Sequence, residues 1–362
     1  MLPITTATPA QATEKMCVPT SGVGSVHNLN PEQPQPVDEN VNVYVGGNFT
    51  RQVGAELEGK LAVNGNALFG GNLRYDMGYA GAGSGIIPVA GADIVAVGGS
   101  ITINGTSQIS VGTRAAADTS PLPGNVKAGG SITPLSSVSV LPGATVNSNL
   151  GRVAALGSPL ADWPNNNFSV LSDFAQSNDN GTAGTYAIVG GELVLTGMPG
   201  ATRHVIQIPG SLLTGQPLTL RLVNIAPTDI LVIKVTGASA DVRISDTFVG
   251  ASQTPVLMGS VEFGQRASRM LWSFPTATSV TFGGAQPPGS ILVPTVGSST
   301  TIVSAGTNGR VWVAGDLIQN AAGGEFHAFP FLGNPDSTCG QPPVPRSVAP
   351  VVSIGDYVWI DA

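Results

Sequence analysis

Charge is scarce in this chain of 362 residues: 15 Lys and Arg with 22 Asp and Glu make up 10% of it, where a soluble domain carries about 25%. The 4 Lys and 11 Arg are scattered singly. No basic stretch of the kind a phosphate backbone requires is present, which argues against nucleic acid and against electrostatic docking on an anionic membrane. No run approaches 18 consecutive apolar residues, so no membrane-spanning helix and no membrane insertion are expected. Three His and two Cys, with no HExxH and no CxxC, give no expectation of a metal site or cofactor. A GxSxG nucleophile turn is also missing. Gly falls well below one residue in three and has no triplet period, which excludes collagen.

What is present is glycine and proline, 48 and 28 residues or about a fifth of the chain, beside 42% apolar residues. Such a Gly and Pro load would break long helices and coiled coils, while the apolar share supports a large core. Proline gathers near the two ends. Residues 1–36 read as an extended arm and 335–352 as a Pro-rich linker. Glycine punctuates the middle.

From Val41 a phrase recurs: an apolar residue, one or two small residues, Gly, a small polar residue, then apolar residues alternating with Ser or Thr. It reads YVGGNFT (44–50), AVNGNALFGGNLR (62–74), AVGGSITING (96–105), KAGGSITPLSSVSV (127–140) and VWVAGDLI (311–318). Looser copies are AIVGGELVLTG (187–197) and TSVTFGG (278–284). Short strands ending in Gly-Gly or Asn-Gly at intervals of roughly 20 residues indicate stacked coils. The fold expected is all-β, a right-handed β-solenoid. Val, Ile and Leu fill the axis, Ser, Thr and Asn face outward, and Gly turns the corners. A β-sandwich with Gly-rich hairpins is the alternative. One short packed α-helix is expected within 158–180, where Phe168, Leu171 and Ala175 have helical spacing, with Asn165 or Asn166 as N-cap. Residues 185–331 return to strands, so 37–334 forms one domain.

Several phrases are similar to a known family. RMLWSFPTATSVTF (269–282), which contains Trp272, GSILVP (289–294), GGEFHAFPF (323–331) with Glu325 and His327, and the opening VNVYVGGNFT (41–50) resemble the choice-of-anchor A domain of bacterial surface adhesins. The tail SIGDYVWIDA (353–362) resembles the first strand of an immunoglobulin-like B-type repeat of serine-aspartate-repeat surface proteins. The order of coils, helix and further coils also resembles the ice-binding β-helix architecture. Together these resemblances imply a non-enzymatic adhesive tip at a bacterial cell surface, with stalk repeats C-terminal to it and an extracellular ligand: glycan, protein or ice. The first ten residues lack a secretory leader, which fits a mature form with the leader removed or an intracellular protein, the former being expected here. Cys17 and Cys339 are then either free thiols or a disulfide joining arm to linker, and an extracellular location favours the disulfide. In a bacterial chain the sequons at Asn48, Asn104, Asn167 and Asn180 carry no expected glycan.

The candidate chemistry is sparse, and no catalytic residue is assigned. His27 lies in the arm, and His204 in an alternating strand, where it is expected at the surface or an edge. Glu325 and His327 are spaced to form a hydrogen-bonded pair closing the last turn. Glu56 and Glu58, also two apart, and Asp173 and Asp179 are the only carboxylates worth weighing for a polysaccharide-active enzyme, which would need a pair across a cleft. GAELEGKL (54–61) misses the phosphate-loop Ser or Thr. The surface candidates are outward hydroxyls: Thr102, Ser139 and Thr301.

Overall fold

Pairing across strands sets the architecture. In the strand Val41–Val45, residues Val43, Tyr44 and Val45 lie opposite Val311, Trp312 and Val313 on one side and, in parallel again, Leu61, Ala62 and Val63 on the other. The computed structural model describes residues 37–38, 41–78, 83–112, 122–157, 160–162 and 169–333. The arm with Cys17 and His27, the linker with Cys339, the tail 353–362, the caps Asn165 and Asn166, and Phe168 lie outside the described residues.

Three parallel faces enclose one axis, two of 11 strands and one of 6. The single antiparallel contact among these three faces pairs Thr185–Val189 with Glu192–Thr196 at one end. The axial core is continuous. Val63, Phe69, Val97, Ile101 and Ile109 from the first half join Leu220, Ile233, Trp272, Phe282 and Val313 from the second in one buried cluster. Trp272, in the RMLWSF phrase, points into this core, with its ring 5.5 Å from Phe282 and its indole N–H donating to the Pro288 carbonyl at 3.0 Å. The fold is an all-β solenoid.

The coils do not stack in chain order. Those of the first half climb from Val41–Val45 to the end strand Val146–Asn147, and those of the second half return from the opposite end, so that Val311–Val313 docks beside Val41–Val45 in the middle of the sheet. A covering layer made of α1 (Arg152–Leu156) and α2 (Ser169–Ser177) links the two stacks. Val170, Leu171, Phe174 and Ala175 form the buried stripe of α2 and lie on Tyr44, Leu292 and Trp312, the outward side chains of one 11-stranded face. Phe174 meets Trp312 and Phe331 edge to face, at 5.5 and 5.9 Å. Asn178 and Asp179, just past α2, are tied back by Arg203 at 2.7 Å and Lys234 at 2.5 Å. The expected helix therefore forms. Among the described residues two further short α-helices accompany it, α1 and α3 (Val261–Ala267). The latter is capped by Ser260, whose hydroxyl accepts from the Phe263 N–H at 3.1 Å.

His204 departs from its expected place. It is fully buried, shares the inward phase of Ile206 and Ile208, and places Nε2 3.2 Å from Asp229 Oδ2. Glu58 also leaves the strand face expected for it beside Glu56. It is buried beyond the strand end, where its carboxylate accepts from the Ala328 N–H at 2.9 Å and from Ser84.

Candidate functional site

The three faces differ in what covers them. The first, just described, lies under α1, α2 and Phe331 and is interior. The 6-stranded face carries a row of neighbouring residues, Glu325, Glu56, Asp76, Ser110 and Ser139, set by strand register. Asp76 is paired with Arg74 at 2.7 Å. The second 11-stranded face is open over its middle, and its outward residues fall into straight rows.

One row reads Thr133, Thr102, Leu68, Thr50, Ile318, Thr301, Thr281 along successive strands, with a spacing of about 4.8 Å. Two residues earlier on each strand runs a polar row built by the recurring phrase. Four of its side chains, Asp316, Asn48, Asn66 and Ser100, each after a corner Gly, fold over the neighbouring coil and accept its backbone N–H. Asp316 Oδ1 accepts from Asn48 N–H at 2.7 Å, Asn48 Oδ1 from Asn66 N–H at 2.9 Å, Asn66 Oδ1 from Ser100 N–H at 2.8 Å, and Ser100 Oγ from Ser131 N–H at 3.2 Å. The glycines make room for this ladder. A Cβ on Gly65 would stand 2.5 Å from the Gly47 carbonyl and 2.7 Å from Asn48 Oδ1.

The two rows line a trough of about 680 Å³ between Ser100 and Ser299, with Leu68, Thr50 and Ile318 on its floor and Asn48, Asn66 and Asp316 along its rim. Among the described residues no Lys or Arg lines it. The volume falls in the range of small-ligand sites. Beyond Thr281 the face changes character. Arg243 is paired with Asp241 and Arg221 with Glu192, each at 2.5 Å.

Beneath the trough the corner is held rigidly. Arg51 is fully buried, donates to the Gly54 carbonyl at 2.6 Å and the Gly70 carbonyl at 3.2 Å, and lies 4.6 Å over the Tyr75 ring. Tyr75 bonds Gln319, and burial raises its phenol pKa far above the ordinary value.

The hydroxyl candidates divide between two faces. Thr102 and Thr301 lie in the open row, whereas Ser139 lies on the 6-stranded face with Glu56 and Glu325. Glu56 and Glu325 are register neighbours on one surface, not partners across a cleft. Glu325 and His327 do bond, Nε2 to Oε2 at 2.8 Å, and His327 Nδ1 stands 2.7 Å from Asn308 Oδ1. Burial pushes the His327 pKa down, but Glu58, Glu325 and Glu56 outweigh it and hold the imidazole above its ordinary value. No cluster of three acid, His or Cys side chains suited to a metal occurs among the described residues. Asp316, Asn48 and Asn66, the rim of the trough, were legible only as corner residues. Their signal was the polar residue after each Gly.

Comparison with known proteins adds to this geometry. A solved structure, the domain of ice-binding protein 1 from Shewanella frigidimarina, matches at 12% identity over 79% of this chain and 92% of that one, with a TM-score of 0.32. No curated protein matches. The model of the family described as "Putative Ice-binding-like adhesive domain" matches residues 38–328, most of the chain. The chain thus belongs to the ice-binding-like adhesive domain family.

Proposed function

We propose that this chain is the non-enzymatic, ligand-binding tip of an extracellular bacterial adhesin, and that it holds its ligand on the open face. One observation carries the reading. Among the described residues, this solenoid face presents uncovered, in-register Thr, Ser and Asn around a ligand-sized trough. The covered face is core, and the third is crowded with carboxylates. Rigid rows suit adhesion, because little side-chain order is lost on contact. Many weak copies on one cell add through avidity. The resemblance to choice-of-anchor A domains, and of 353–362 to a stalk repeat, supports a tip displayed on stalk modules at the cell surface.

Ice binding is the second reading, favoured by the straight Thr row. The Asp316 carboxylate and the trough beside that row favour a solute ligand instead. A glycan and matrix-protein array on the full chain, with an ice recrystallisation assay beside it, separates the two. Ligand capture abolished by Thr102→Lys supports adhesion. Ice activity abolished by the same change, with a blank array, replaces it with ice binding. Turnover of any arrayed glycan overturns the non-enzymatic reading.

A further inference from the structure

The trough has a chemical bias that its Thr and Ser residues conceal. Asp316 is exposed on the rim, and both of its hydrogen bonds, from the Asn48 backbone and side chain, end on Oδ1. Oδ2 is left without a partner among the described residues. Of the other charged groups on this face, Arg243 with Asp241 and Arg221 with Glu192 are paired, Asp246 is exposed, and all of them lie outside the lining. A ligand in the trough therefore meets one fixed negative charge and no positive one. Anionic glycans are repelled there, and a cationic group is attracted.

The remaining inventory describes the ligand's body. Leu68 and Ile318 are half-buried and give an apolar floor. The polar row stands two residues away along the strands, about 6.6 Å, close to the width of one pyranose ring. Asn66 spends its Oδ1 on the ladder and keeps Nδ2 to donate. From Ser100 to Ser299 the trough crosses five strands, about 19 Å at strand spacing, which is room for a short oligosaccharide. A sugar ring has one C–H face for the floor and polar substituents for the rim.

We propose that the trough takes an amino-sugar oligosaccharide with free amines, laying its ring faces on Leu68 and Ile318 and placing one ammonium against Asp316. This rests on the open face being the ligand surface and adds the charge of the ligand. The contact is a charge-assisted hydrogen bond on a partly solvated surface, so its contribution must fall with salt.

The test is calorimetry of the full chain with two oligosaccharides of equal length, β-1,4-linked glucosamine and its fully N-acetylated form. The expected result is about two- to fivefold tighter binding of the free amine, the worth of an exposed ion pair, a preference that shrinks between 50 and 500 mM NaCl. Asp316→Asn keeps the Oδ1 acceptor for Asn48 and should bring the two ligands to equal affinity. Ser299→Lys, at the register neighbour of Asp316, supplies an internal ammonium and should do the same without touching Asp316. Equal binding of both sugars by the wild type overturns the amine assignment and leaves the open face standing as a sugar surface. Binding of neither overturns the amino-sugar class, and the array then decides the face independently. A preference that survives both variants overturns the role of Asp316.

Discussion

His327 offers the sharpest physical test of how the solenoid is closed. The ring is 3% exposed, and each nitrogen faces an acceptor: Nδ1 faces Asn308 Oδ1 at 2.7 Å, and Nε2 faces Glu325 Oε2 at 2.8 Å. Asn308 turns its Nδ2 to the carbonyls of Gln286 and Pro287, at 3.2 and 3.3 Å, which fixes its oxygen toward the ring. Two acceptors require two ring protons, so the folded state holds an imidazolium. Glu58 and Glu56 add attraction from behind. The folded pKa is therefore raised above the unfolded value, near 6.5. Below that pH both states are protonated and the stabilisation is fully present. Above it the unfolded chain loses its proton first, and stability falls by up to about 1.4 kcal/mol per pH unit until the folded pKa is passed. His327→Gln removes the cation and should cost about 1.5–3 kcal/mol at pH 6, the worth of hydrogen bonds to a charged group. Urea unfolding of both proteins at pH 6, 7, 8 and 9 measures the difference. The wild-type advantage should be greatest at pH 6 and shrink steadily toward pH 9. A difference that is constant, or that grows with pH, would refute a buried imidazolium.

Three further outcomes follow from the same packing. Phe174→Ala, in the α2 stripe against Trp312 and Phe331, should cost about 3–5 kcal/mol and shift tryptophan emission to the red as Trp312 is uncovered. A loss below 1 kcal/mol would mean that α2 is not part of the core. Gly65→Ala pushes a methyl to 2.5 Å from the Gly47 carbonyl and should lower stability by about 1–3 kcal/mol in urea, while Gly259→Ala, with no atom within 4 Å, should leave the midpoint unchanged. Asn66→Ala takes the acceptor from the Ser100 N–H and should cost about 1 kcal/mol, accompanied by faster amide exchange at Ser100.

The sequence made some of this plain and hid the rest for identifiable reasons. The Gly-Asn, Gly-Ser and Gly-Asp corners announce the coils because a close approach there admits no Cβ, and the alternation around Thr102 announces which side chains face out. The helix was legible from Leu171 and Ala175, although Val170 and Phe174 complete its stripe. The order of coils was not legible. The Asn48–Asp316 bond spans 268 residues, and parallel pairing leaves no local trace of its partner. His204 was misplaced because Arg203 beside it suggested a surface, although its phase with Ile206 and Ile208 already pointed inward. The division of Thr102 and Thr301 from Ser139 depends on which corner each strand follows, and only the stacked coils fix that.

The central claim is that the open face binds. Lysines at Thr50 and Thr102, in the open row, and a lysine at Ser139, on the 6-stranded face, probe it directly. All these positions are solvent-facing, so the folds should survive, as thermal melts will check. Binding of the full chain to its best array ligand should disappear with Thr50→Lys/Thr102→Lys and persist with Ser139→Lys. Undiminished binding by the folded open-face variant, or its loss on changing Ser139, would contradict the account.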